Sequence, residues 1–299
     1  MVRYLDPKND LVFKKIFGDH PHLLMSFLNA ILPLETEIVD VEYLSPEITP
    51  STPAKKFSIV DVRCIDGMGR TFIVEMQMYW NNALMKRMVF NTSKAYVNQI
   101  DKGGLYSTLQ PVYGIGIIND IFDKVTDEYY HRYQIINKEN TDEIIDGLEY
   151  VMVELPKLKF SNMEEKKMAV LWLRFLSEID EKTKEVPAEL LTNDTMSEAL
   201  SICEHAAFTD KEMMAYDAYL DSIRLEKEAL KELEEREKKG IEKGRKEGIE
   251  EGIEKGRKEE KEESARKFIA NCKKNGFPIE QIISLTGLSE EQINKLSDS

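Results

Sequence analysis

The sequence predicts a mixed α/β domain, one sheet flanked by helices, followed by an all-α C-terminal region. Three observations carry this expectation. Two β-rich runs, residues 57–65 and 71–78, are joined by a short turn containing Gly67 and Gly69. Residues 111–118 are almost wholly apolar, the pattern of a central strand covered on both faces. Residues 162–239 carry helical periodicity throughout. With 299 residues and 42% hydrophobic content, the chain can bury one good core and still leave material for an appendage.

Taken in order, residues 10–18 space Phe13, Ile16 and Phe17 along one helical face, and Gly18 suits a C-terminal cap. Both phenylalanines are expected in the core. A second helix is expected over 22–31, ended by Pro33. Residues 38–44 alternate apolar and polar as a half-buried strand does, and 45–53 read as a loop. The 57–65 and 71–78 runs form an antiparallel hairpin whose glycines supply positive φ. Residues 81–101 read as a long amphipathic helix stopped by Gly103 and Gly104. Strands at 111–118, 129–136 and 150–155 complete the sheet, and the domain is expected to span 1–158.

A helical region, 159–239, follows, with Met168, Leu171, Trp172, Phe175 and Leu176 forming an apolar stripe. Between 226 and 263 the chain becomes almost entirely charged, with 15 acidic and 12 basic side chains. Within it, over 240–263, Gly240, Gly244, Gly248, Gly252 and Gly256 recur every four residues, in step with Ile241, Arg245, Ile249, Ile253 and Arg257. Glycine costs a helix about 1 kcal/mol against alanine, so the repeat reads either as a dimerising stalk or as a flexible charged tether. Residues 264–299 form a small helical, helix-turn-helix-like tail in which Ser289 and Gln292 make a capping box. Glu290 and Glu291 suit a phosphate-lined groove poorly, so the tail reads more readily as a packing or oligomerisation module than as a DNA reader.

Composition narrows the function. Asp6, Lys8, Asp10, Lys14 and Lys15 interrupt the first apolar runs, and no run of about 18 apolar residues occurs elsewhere, so a cytoplasmic protein without a membrane partner is expected. Three dispersed cysteines and four histidines argue against a zinc site or a disulfide framework. With a net charge of −14, a polyanionic substrate has to be met by a local basic patch or through a bound cation.

Asp61 lies in Ser58-Ile-Val-Asp-Val-Arg63 and is expected mid-strand, across the hairpin from Glu75 and Gln77, which share a face at i and i+2. By spacing alone these are either polar residues on the wet face of a sheet or two carboxylates and an amide converging on a divalent cation. Magnesium takes one or two carboxylates, with waters and a substrate phosphate. Held by Asp61, Glu75 and the Met76 carbonyl, such an ion would activate water for phosphodiester hydrolysis. Lys14, four residues after Asp10 and on its helix face, is either a surface ion-pair partner or a cation aimed at the same place. Arg87 is equally open between phosphate contact and ordinary helix surface.

The order helix, strand, Asp-bearing strand, hairpin, ExQ strand, long helix and apolar strand resembles the PD-(D/E)XK nuclease core. More narrowly, Asp10-Leu-Val-Phe-Lys14 with Phe17-Gly18, Phe27-Leu-Asn29, Asp61, Glu75-Met-Gln77, Arg87 and Tyr106 with Pro111-Val-Tyr113 look like the Rpn family of recombination-promoting nucleases, also described as transposases. The resemblance covers residues 5–155. It implies a PD-(D/E)XK nuclease-like fold and a magnesium-dependent DNA endonuclease (hydrolase) linked to recombination or mobile elements. It also implies Mg2+ (or Mn2+) as cofactor and DNA, with RNA left open, as substrate. Asp61 and Glu75 would be metal ligands with Met76 and Asp10; Gln77 would stand in the catalytic lysine position, and Lys14 and Arg87 would meet the substrate. Two departures are Val60 where the motif has proline, and Gln77, which cannot carry the lysine's charge. The competing reading is a nuclease-fold scaffold that recruits partners, and a homodimer through the C-terminal helices fits either.

Overall fold

A computed structural model describes residues 2–48, 58–101, 103–160 and 167–297. It divides into two compact units, Met1–Lys227 and Glu228–Ser299.

In the first unit, α1 (Asp10–Asp19) starts at Asn9, whose side chain accepts the Leu11 N–H, and α2 (Pro21–Ile31) starts on a proline whose fixed φ suits the first turn. Gly18 does not cap α1, which runs on to Asp19. The strands are β1 (Val41–Tyr43), β2 (Glu47–Ile48), β3 (Ser58–Ile59), β4 (Val62–Asp66) and β5 (Thr71–Gln77). Then follow α3 (Ala83–Val97), β6 (Val112–Ile118), β7 (Tyr130–Ile136) and β8 (Ile144–Glu154). Six strands form one mixed sheet in the order β1-β4-β5-β6-β8-β7, with β5, β6 and β8 parallel and the outer pairs antiparallel. The α/β sheet flanked by helices is therefore as expected, with β6 at its centre. The hairpin turn uses one positive φ, at Gly69.

Several expected elements change at their ends, each for a local reason. The strand expected over 38–44 keeps only Val41–Tyr43, because the Asn29 amide takes both the N–H and the C=O of Ile38. The 57–65 run divides: β3 pairs with β2 in a separate two-stranded ladder, whereas β4 pairs with β1 and β5. Asp61 consequently sits at the bend between β3 and β4, not mid-strand. Residues 49–57, part of the expected loop and strand, lie outside the described residues. Helix α3 is shorter than 81–101, and β8 begins at Ile144 rather than 150, paired along β7 through a bulge at Gln134 and Ile135.

Helices α1, α2, α4 (Met168–Glu178) and α6 (Asp194–Ile202) share one core with the sheet face bearing Val62, Phe72, Val74, Met76, Ile115 and Val151. A shorter helix, α5 (Ala188–Thr192), precedes α6. Trp172 anchors that core, its ring 5.2 Å from Phe17 and 5.9 Å from Phe27, while its indole N–H donates to Ser26. Phe13 and Phe17 are wholly buried there, as expected. Because this core continues through Leu200 to Tyr216, the sheet domain does not end at 158. Helix α3 covers the opposite face, packing Leu84, Met88 and Ala95 on Ile73, Val112 and Met152.

Helix α7 (Asp210–Lys274) includes the glycine repeat, whose five glycines meet nothing within 4 Å. In the second unit, α8 (Ile279–Thr286) and α9 (Glu290–Ser297) bury Ile282 and Ile293 with Ile269 and Cys272. The capping box forms as expected: Ser289 N–H donates to Gln292 Oε1 at 2.9 Å, and the Gln292 N–H to Ser289 Oγ at 3.3 Å. No helix among the described residues is long and apolar enough to cross a membrane.

Candidate active site

The β4–β5 hairpin sets Val62 opposite Val74, and continuing the register by one residue brings Asp61 opposite Glu75. Alternation along β5 points Val74 and Met76 into the core under α1 and α2, and Glu75 and Gln77 toward α3. At the bend, Asp61 Oδ2 accepts the Met76 N–H at 2.8 Å. The Gln77 C=O faces the other way, accepting the Asn119 N–H beyond β6. The N–H and C=O of one strand residue face the same neighbour, so the Met76 C=O lies on the Asp61 side.

Two helices bring cations to this place. Lys14 on α1 stands 2.7 Å from Asp10 Oδ1 and 3.8 Å from Asp61 Oδ1, so the shared helix face of Asp10 and Lys14 is turned to the carboxylates. On α3, Arg87 donates to Glu75 Oε2 at 3.1 Å and to Gln77 Oε1 at 2.6 Å. One helical turn later, Asn91 Nδ2 donates to Glu75 Oε1 at 3.3 Å, while its Oδ1 is buried with no donor. All the residues singled out in the sequence, Asp10, Lys14, Asp61, Glu75, Met76, Gln77 and Arg87, therefore meet at one end of β5.

Asn91 is a participant that periodicity alone passed over. Its signal was a polar side chain on the buried stripe of α3 between Met88 and Ala95, and it is wholly buried. Burial pushes the phenol of Tyr219, on α7, above the usual range, and the charges of Asp10 and then Asp61 add to the effect.

The electrostatics are those of a site short of positive charge. Burial, followed by the neighbouring Glu75 charge, pushes the Asp61 carboxyl up to about 7. Burial also raises Glu75, although Arg87 and Asn91 pull against it. A divalent cation would relieve both. The donors are all oxygens, from Asp61, Glu75, the Met76 carbonyl and the orphaned Asn91 Oδ1, a set that fits a hard cation such as magnesium. Among the described residues no three His, Cys, Asp or Glu side chains converge to hold an ion, so the two acids would act with backbone, amide and water ligands. Asp10, the further acid expected here, pairs through Oδ1 with Lys14.

A family model, PD-(D/E)XK nuclease family transposase, matches residues 7–242. The chain belongs to this family. No curated protein and no solved structure matches it. Membership of the PD-(D/E)XK nuclease family transposases supports a nuclease role connected with mobile elements, and enzymes of this superfamily use divalent metals. The matched span covers the sheet, the helices of its core and the opening of α7, so it reaches past the 5–155 on which the sequence resemblance rested.

Proposed function

We propose that this PD-(D/E)XK family chain is a magnesium-dependent DNA endonuclease, manganese serving as a substitute, that hydrolyses phosphodiester bonds during recombination or transposition. The observation that carries the reading is the pair of buried, electrostatically strained carboxyls, Asp61 and Glu75, with the Met76 carbonyl between oxygens that suit one hard cation. When bound there, the cation would polarise the scissile phosphate and make an attacking water more acidic.

The protein's own groups supply the rest. Gln77 accepts from Arg87 and so keeps its amide N–H for orienting water. Lys14 takes over the positive charge that Gln77 lacks, reaching from α1 to within 3.8 Å of Asp61. Asp10 holds that ammonium in place. Arg87 pairs with Glu75 through a side chain that is 42% exposed, so with a cation held by the acid its guanidinium would be available to the substrate. Two such sites in a homodimer would cut both strands; exposed Ile241, Ile249 and Ile253 beside the glycine repeat offer the pairing surface, and crosslinking of the full chain tests it.

One observation favours a second reading, a nuclease-fold scaffold without turnover: the protein's own Arg87 and Asn91 both donate to Glu75. Plasmid cleavage separates the two. The nuclease reading expects magnesium-dependent cleavage, loss of it in Asp61→Ala and Glu75→Ala, and unchanged folding by circular dichroism. Cleavage that persists in both variants removes these residues from the mechanism, and an inert wild type leaves the scaffold.

A further inference from the structure

Beside Asp61, where the chain passes from β3 to β4, lies a cavity of about 310 Å3 lined by Lys14, Tyr43, Ile59, Asp61 and Arg63 among others. Arg63 is half-buried, and its Nε is shielded from solvent with no hydrogen-bond partner. Among the described residues its guanidinium makes no ion pair, although the protein carries a net charge of −14. The other two arginines withdrawn from solvent are both matched, Arg70 to Asp66 at 2.6 Å and Arg174 to Glu178 at 3.1 Å. A guanidinium taken partly out of water without a counter-charge is unfavourable, and a fold rich in carboxylates has had every opportunity to supply one.

We propose that Arg63 binds a backbone phosphate of the nucleic-acid substrate, next along the strand from the phosphate at Asp61, with the cavity receiving the intervening sugar. This deepens the nuclease reading and rests on it. The guanidinium can meet phosphate oxygens end-on in a bidentate manner through its two Nη groups, which have no hydrogen-bond partner among the described residues, while the shielded Nε marks how little the protein itself compensates the charge. Lys14, on the shared wall, adds a second charge, while Tyr43 and Ile59 give the cavity an apolar side suited to sugar carbons. A phosphate contact of this kind positions the strand and reads no sequence. Arg63 is thus a substrate-binding residue, and not one that takes part in bond cleavage.

The test uses the full chain in an Asp61→Asn background, which stops hydrolysis, and measures binding of two short DNA duplexes of unrelated sequence across a salt series. Adding Arg63→Gln is expected to weaken both duplexes by roughly tenfold and to reduce the slope of log K against log salt by about one. Arg63→Lys keeps the charge and is expected to keep the slope. In the hydrolytically competent protein, Arg63→Gln should raise KM by a similar factor and leave kcat nearly unchanged. Because the side chain has no hydrogen-bond partner to lose among the described residues, Tm should not fall, so a packing role and a phosphate role part on the salt slope. An unchanged slope in Arg63→Gln overturns the proposal while the nuclease reading stands. A wild type that neither binds nor cleaves DNA overturns both.

Discussion

Replacing Asp61 by asparagine should make the metal-free protein more stable. The folded carboxyl keeps its proton to about pH 7, whereas an unperturbed one releases it near 3.8. The native state therefore binds more protons than the unfolded chain between these values. Stability is full below about 3.8, falls as pH rises through the window, and the loss is complete above about 7. Spanning that window at about 1.4 kcal/mol per tenfold change in proton affinity gives about 4 kcal/mol, an upper bound because the side chain is 20% exposed and coupled to Glu75. Asparagine still accepts the Met76 N–H through its Oδ1, and it forfeits the 3.8 Å attraction to Lys14, worth under about 1 kcal/mol. A net gain of roughly 1–3 kcal/mol at pH 8 follows, seen as a Tm rise of roughly 2–4 °C per kcal/mol for a unit of this size. The assay is thermal unfolding in EDTA at pH 5 and pH 8, with the gain at pH 5 expected to be less than half that at pH 8. An asparagine variant that is less stable at pH 8, or whose advantage ignores pH, would refute the strained-carboxyl account.

Other perturbations follow from the same contacts. Arg87→Ala takes a half-exposed cation from the buried Glu75 and should cost about 1–3 kcal/mol in denaturant titration, whereas kcat/KM for plasmid cleavage should fall by roughly a hundredfold; equal rates would exclude Arg87 from the site. Gly116→Ala puts a Cβ onto Met152 Sδ, which is buried between β6 and α3, and urea unfolding should show a loss of about 1–3 kcal/mol. Glu154 is fully buried and accepts from the Phe122 and Asp123 N–H groups, His131 and Lys157. Glu154→Ala removes the carboxylate paired with Lys157, which keeps only the Glu128 carbonyl among the described residues, and leaves the Phe122 and Asp123 N–H groups without their acceptor, and should destabilise by about 3–5 kcal/mol in denaturant titration, without a direct effect on metal binding.

What was legible in the sequence and what was not divides along physical lines. Strand β6 and the β4–β5 hairpin announced themselves because apolar continuity and a glycine turn are local signals, and the antiparallel register that sets Asp61 against Glu75 follows from the hairpin. Lys14 could be aimed at the site because i,i+4 geometry ties it to Asp10. The break at Asp61 could not be read, since it depends on β3 leaving the main sheet to pair with β2. The shortening of β1 hinged on one amide, Asn29, reaching a residue nine positions away. Helix α4 was visible as an apolar stripe, but nothing local says that its partners are α2 and the sheet, which is why the core runs past 158. Asn91 and Arg63 are functional candidates through what surrounds them, and surroundings are long-range.

The account depends on Asp61 and Glu75 acting together as a divalent-cation site, and isothermal titration of the wild type with Mg2+ and Mn2+ tests this most directly. It predicts saturable binding that releases protons increasingly as the pH is lowered from 8 toward 6, because Asp61 is then still protonated, and that disappears in Glu75→Gln. No binding by the wild type, or equal binding by Glu75→Gln, would contradict it.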